Sequence, residues 1–409
     1  MRSAMQPLTM TSWHSLESQI HYLSEQERRQ LYDVAGTGEH VMGVLCTLGT
    51  LHADFTVMMG MALALQKTTD TKYLPDADTA TCHARLTNVL SIDLQKDASG
   101  TRVLEALIRL ALEDIRLVVA LLIERKEHMK HLEEMSQEQQ WQFSVETVDI
   151  HVRLAERLGM HHMAQELEEL CLPIAEPMVF RELRTAREEA LSRATEDVLP
   201  CEAVAALLVE DRLRDMLEDD HGLLEYEPPS WSDCKKQRNG DVKKSTAIAL
   251  VCPDVATCYE MLGVVHRLWR CESHGFRDDI NTPQSNGYQG LHTTLILENG
   301  VHVHCRIRSE EMQLYAQSGI ASVCFEGAFP GITEYVPWVL RAADALDVLQ
   351  KDPSAWQSLC EEILGGDIVV YDATGATHFV PSSATALDAV FLCFPERAAW
   401  TETIFLNNA

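Results

Sequence analysis

Through the first 178 residues of this 409-residue chain, apolar positions recur every three or four residues, the spacing of helices with one buried face. Ser24-Glu25-Gln26-Glu27 has the form of a capping box and predicts a helix running through Tyr32. Val41–Leu51 and Phe55–Leu65 predict two apolar helices joined by His52-Ala53-Asp54. Val103–His131 reads as one long amphipathic helix, with Leu104, Leu107, Ile108, Ile115, Val118 and Leu122 facing inward. Ser144–Glu176 predicts one or two more, with Leu154, Leu158, Leu167 and Leu170 in phase.

The pattern changes after residue 178. Val179–Ala194 and Ala203–Leu217 predict polar helices, and the acidic stretch Glu218–Asp241, with Pro228, Pro229 and Gly240, predicts a loop. Thr246–Cys252 predicts a buried strand, followed by a helix over Asp254–Trp269 with Asp254 as its N-cap. Asn286-Gly287-Tyr288-Gln289 is turn chemistry with an aromatic residue, expected to be exposed, at its tip. Leu291–Leu297 and Val301–Ile307 alternate apolar and polar residues and are joined by Glu298-Asn299-Gly300, a hairpin signal. A helix bearing Met312, Tyr315 and Ile320 follows, ending near Gly319. In the last stretch, Asp367–Tyr371 and Thr377–Val380 flank the turn Asp372-Ala373-Thr374-Gly375, and Ser383–Phe391 begins a helix.

Length predicts two or three domains, and 46% hydrophobic with 23% charged residues suits a globular chain with real cores. The formal net charge of −28 disfavours non-specific nucleic-acid binding, which needs clustered Lys and Arg. Twelve cysteines without a CxxC pair argue against a zinc site or a disulfide framework and fit a reducing, cytoplasmic setting. No signal peptide is evident, and the apolar runs Val41–Leu65 and Leu104–Ile123 are interrupted by charge, so no membrane span is expected.

The segment from Asn286 to Ala321 resembles the synthetase domain of the long RelA/SpoT homologues, which transfer pyrophosphate from ATP to GDP or GTP. The family loop N-G-Y-Q-S-[IL]-H-T appears as Asn286 through Thr293, with Gly290 in place of Ser. The family strand V-E-[IV]-Q-I-R-T appears as Val303 through Ser309, followed by Met312, Ala316, Gly319, Ile320 and Ala321 at the family spacing. The resemblance implies that Asn286, Tyr288, Gln289 and His292 hold a guanine nucleotide, with Arg277 and Arg308 as supporting cations. It also implies a lost Mg²⁺ site, because the two family carboxylates fall on Lys244 and His304. Mg²⁺ requires hard oxygen ligands, which ammonium and imidazole do not supply. The basic segment that binds ATP in the family is replaced by the acidic Glu218–Asp241 span, and the loop Lys is Gln284.

Leu154-Ala155-Glu156-Arg157-Leu158-Gly159 and Glu166 to Cys171 resemble the end of the family's metal-dependent hydrolase domain. Its Mn²⁺ ligands fall on Thr37, Met61, Ala62 and Glu124, which implies a lost site. His40, His52, His128, His131, His161 and His162 then read as surface or capping residues. Thr385 to Phe391 resembles the helix phrase of the family's TGS module. The family His that touches tRNA is absent from Leu392-Cys393-Phe394, so tRNA or ribosome binding is not expected.

The resulting expectation is a multidomain α+β protein. Residues 1–178 form an all-helical HD-type pseudo-hydrolase domain. Residues 179–345 form a mixed-sheet, nucleotidyltransferase-like synthetase domain. Residues 346–409 form a linker and a truncated, partial β-grasp TGS-like module. The chain reads as a degenerate, C-terminally truncated relative of the RelA branch, inactive in both catalytic domains and without a certain cofactor. It would retain GDP or GTP binding, or regulate an active RelA/SpoT homologue. One alternative is an active GTP pyrophosphokinase with carboxylates supplied from elsewhere. The other is the product of a decaying gene.

Overall fold

The computed structural model describes residues 15–36, 38–68, 74–92, 101–188, 223–227, 246–272, 275–296, 302–325, 336, 338–342, 365, 367–372, 377–394 and 404. The helix Glu25–Ala35 begins at the expected capping box: Glu27 N–H donates to the Ser24 hydroxyl, and Ser24 N–H donates to the Glu27 carboxylate. Such a cap stabilises a helix by about 1 kcal/mol. Phe55–Leu65 starts at Asp54, whose carboxylate accepts from Val57 N–H. This helix is apolar around its whole circumference, as suits one that the other helices surround.

The single helix expected over Val103–His131 is two helices, Thr101–Glu113 and Ile115–Met129. Asp114 breaks it by capping the second, its carboxylate accepting the Arg116 backbone N–H. A short acidic side chain competes with helix geometry for nearby backbone donors. The Arg116 guanidinium then binds both Asp114 and Asp54, tying the break to the start of Phe55–Leu65. Beyond it follow the helix Gln137–Glu146, a π-helical turn Thr147–Val152, and the helices Arg153–Arg157 and His161–Ala175. Residues 177–188 are helical; the remainder of the expected Val179–Ala194 helix and all of Ala203–Leu217 lie outside the described residues.

The sheet runs β1(Leu223–Glu227)-β2(Thr246–Cys252)-β6(His302–Ser309)-β5(Leu291–Ile296)-β3(Arg270–Cys271), with β4(Arg277–Asp278) also on β5. It is mixed: β2 and β6 are parallel and the other pairs antiparallel. β1 corrects the expected loop over Glu218–Asp241, because pairing with the edge of β2 satisfies its backbone groups. The hairpin tip Glu298-Asn299-Gly300 lies outside the described residues. Alternation on β6 turns Val303, Cys305 and Ile307 onto the helix Val255–Leu268 and leaves His302, His304, Arg306 and Arg308 on the opposite face.

The stretch after the sheet is buried elsewhere. Ile320, Cys324, Val336, Trp338 and Ala342 join the core of the N-terminal helices. Two glycines allow this. Gly159, at φ 73°, lies against Gly319 Cα and Asn286 O, and Ile320 N–H donates to Leu158 O. The hairpin β7(Asp367–Tyr371)–β8(Thr377–Pro381) and the helix Ala386–Cys393 form the C-terminal piece, with Thr385 capping the helix. Among the described residues, no helix is long and apolar enough to cross a membrane.

Candidate functional site

Register places one polar row across the sheet. Arg277 on β4 pairs with His292 on β5, which pairs with Arg306 on β6, which pairs with Ala249 on β2. The next row holds Thr294, His304 and Ala247, and the His304 ring is bonded to the Thr294 hydroxyl at 2.9 Å. β2, β5 and β6 contain no Asp or Glu.

The Tyr288 loop closes one end of this face. Gly287, at φ 79°, occupies the left-handed region a turn requires. Asn286 Oδ1 accepts from Tyr288 N–H, and Gln289 Nε2 donates to Ile280 O, so both polar residues shape the loop. Tyr315 donates its hydroxyl proton to Asn286 O. Tyr288 itself is only 5% exposed, which corrects the expectation of an open stacking face. Arg308 covers its ring at 5.2 Å and donates to its hydroxyl through Nε and Nη2. Gly290 makes room for this closure, since a Cβ there would stand 3.2 Å from both Arg308 Cγ and the Tyr288 hydroxyl.

Guanidinium cannot accept a hydrogen bond, so Tyr288 must give its own proton to His292 Nε2, 2.9 Å away. His292 therefore carries its proton on Nδ1. Burial, and then the charges of Arg277, Arg306 and Arg308, push its pKa down to about 2 and keep it neutral. Asp279, 4% exposed, enters from the β4 turn. Its Oδ2 accepts from Arg277 Nε at 2.8 Å and Gln284 Nε2 at 2.7 Å, and lies 3.6 Å from His292 Nε2.

The structure thus brings Tyr288, His292, Arg308 and Arg277 together, with Asn286 and Gln289 supporting them. His304 stands on β6 as expected, and Lys244 lies outside the described residues. Asp279 and Arg306 are additions. Arg306 was legible from its phase with His304 and Arg308, whereas no sequence signal marked Asp279. A cavity of about 460 Å³ opens beside the loop, between Arg157, Asn286 and β7.

A second cavity, of about 410 Å³, lies in the helical part. Thr37 lies outside the described residues, and Met61 and Ala62 are fully buried core side chains. Glu124 is also buried, and His40 Nε2 and His128 Nδ1 each stand 3.3 Å from its Oε1. This corrects the reading of both histidines as surface or capping residues; they converge because two helices cross there. Among the described residues, no set of three or more His, Cys, Asp or Glu side chains is placed to hold a metal ion.

Burial alone would raise the Glu124 pKa, but hydrogen bonds from His128 and His40 and the charge of Arg125 bring it down to about 2. A depressed carboxylate stabilises the fold fully above its unfolded pKa, here about 4.5, and loses that contribution as pH falls toward 2. Glu124→Gln should cost about 1–3 kcal/mol at neutral pH, with the gap from wild type narrowing below pH ~4.5. Urea midpoints across pH measure it, and a gap independent of pH would refute the ionised state of Glu124.

A family model described as a region found in RelA/SpoT proteins matches residues 232–324, which contain this sheet face and the Tyr288 loop. The chain is 28% identical over 289 residues to a GTP pyrophosphokinase of Myxococcus xanthus, covering 68% of this chain and 37% of that one. It is 26% identical over 299 residues to the bifunctional (p)ppGpp synthase/hydrolase SpoT of Escherichia coli K12, covering 68% and 40%. A probable chloroplastic GTP diphosphokinase of rice is 32% identical over 244 residues, covering 56% and 34%. The chain therefore spans two fifths or less of the length of these relatives. Residues 232–324 thus carry a region found in RelA/SpoT proteins, and the similarity to RelA/SpoT relatives extends well beyond it.

Proposed function

We propose that this protein acts in guanosine tetraphosphate metabolism by binding a guanine nucleotide at the Tyr288 face, without transferring pyrophosphate. One observation carries the reading. Under the site β5 and β6 present histidine and arginine along the polar rows, β2 presents alanine, and none of the three strands carries a carboxylate. Phosphoryl-type transfer depends on metal-held phosphates and cationic clamps on the second nucleotide, and each lost clamp costs orders of magnitude in rate. The row Arg277–His292–Arg306 supports anion binding, while the closed Tyr288–Arg308 pair withholds a stacking face and limits the expected affinity.

The test is calorimetry with GDP beside a product assay with ATP and GDP. GDP is expected to bind, and Arg306→Ala to weaken it about tenfold, the value of one charge-assisted hydrogen bond. No tetraphosphate is expected from wild type or from Lys244→Asp with His304→Glu, because the Glu218–Asp241 span holds Lys235, Lys236 and Arg238 among seven acidic residues and lacks the family's Gly-Arg-x-Lys pattern for ATP. Product above a no-protein control would overturn the inactive reading.

A second reading, an active pyrophosphokinase with relocated ligands, is favoured by Asp279 beside His292 and by the register of Glu225 and Glu227 with Ala249 and Ala247. Under that reading Asp279→Asn abolishes product.

A further inference from the structure

We infer that Cys252 and Cys258 form a reversible disulfide on reaction with hydrogen peroxide, a modification site that pins the end of β2 to the start of the helix Val255–Leu268. Cys252 is the last residue of β2, and Cys258 is the fourth of that helix. Asp254 turns the chain back between them. Its carboxylate accepts from Thr257 N–H and its carbonyl accepts from Cys258 N–H. Both thiols are fully buried in the core that the helix forms with the sheet. They also meet one another, Cys252 S–H donating to Cys258 Sγ.

That hydrogen bond divides the two sulfurs. It holds the Cys258 thiol below its ordinary range, against burial and the Asp254 charge, and with burial it pushes Cys252 up. Cys258 is therefore the attacking sulfur and Cys252 the one that keeps its proton until the second step. Residues 253–256, which cover the pair, are exposed, so opening of the first helical turn admits a small neutral oxidant. The Cys258 thiolate attacks peroxide: an S–O bond forms, the O–O bond breaks, and hydroxide leaves to take up the proton Cys258 released. The Cys252 sulfur then attacks the sulfenic acid at Cys258. The S–S bond forms at about 2 Å, the S–O bond breaks, and water leaves with the Cys252 proton. Two thiols and one peroxide give one disulfide and two waters, the sulfurs losing the two electrons that peroxide gains.

The experiment treats the reduced full chain with hydrogen peroxide in rising amounts, stops each reaction with catalase, then denatures, alkylates and digests with trypsin. Lys244 and Arg267 bound one tryptic peptide that holds both Cys252 and Cys258 and no other cysteine. Mass spectrometry is expected to show this peptide without alkyl groups and lighter than its dithiol form by two hydrogens. Treatment with dithiothreitol should restore both alkylation sites. Cys305, buried in the same core but paired with Ile248 further back along β2, should remain alkylated. The exposed Cys271 sets the scale of oxidant. Full alkylation of Cys252 and Cys258 at doses that oxidise Cys271 overturns the inference, as does a disulfide joining either one to Cys305. Cys252→Ser, verified as folded by circular dichroism, should leave a sulfenic acid at Cys258 that dimedone captures. Absence of that adduct overturns Cys258 as the attacking sulfur.

Discussion

Gly319→Ala should destabilise the protein by about 4 kcal/mol or separate the sheet from the N-terminal helices, because strain and overlap add at one position. Gly319 sits at φ 57° and ψ −141°, a conformation that residues with a Cβ rarely adopt. A Cβ there would fall 2.3 Å from Gly159 C and 2.5 Å from both Leu158 O and Met160 N. These are backbone atoms, so no rotamer change relieves the clash. The next residue is held by the same junction, through Ile320 N–H to Leu158 O. Strain would also reach the Tyr288 loop, since Gly159 lies against Asn286 O. Denaturant unfolding checks the cost, and hydrogen exchange at residues 155–160 and 286–290 checks the separation. A variant within about 1 kcal/mol of wild type with unchanged exchange would show that the contact is not tight.

Asp367→Ala should detach the C-terminal hairpin and cost about 3–5 kcal/mol, the range for removing one partner of a buried ion pair. The Asp367 carboxylate is fully buried and accepts from Arg157 Nη1 at 3.1 Å and Arg341 Nη2 at 3.0 Å. Arg157 is itself buried and lies over the Trp338 ring at 4.9 Å, while the Trp338 indole donates to Arg157 O. Burial pushes the Arg157 pKa down, and Asp367 opposes that shift. Without the carboxylate two guanidinium groups remain beside an apolar core. Adding Arg157→Ala should therefore recover part of the loss, giving a double-mutant cycle that is clearly non-additive. Limited proteolysis across residues 365–394 reports detachment, and thermal melting reports the rest. Strict additivity would mean that the ion pair contributes nothing to holding the hairpin.

Sequence by itself determined what depends on neighbours along the chain. The caps at Ser24 and Asp254, and the alternation of β5 and β6, were legible because capping and periodicity are short-range energies. The loop motif and His304 were legible through the resemblance to the RelA/SpoT synthetase domain. Tertiary structure alone decided what depends on distant partners. Arg116 joins Asp114 to Asp54, sixty residues away, and so fixes the break in Val103–His131 against the start of Phe55–Leu65. Tyr288 is shut because Arg308, two strands' length further on, folds over its ring; local turn chemistry carries no trace of that. Glu124 and His40 meet only where their helices cross, and Gly159 meets Gly319 only because a left-handed backbone lets two segments touch. Burial of a charge or an aromatic ring is set by the whole packing arrangement, and no window of sequence contains it.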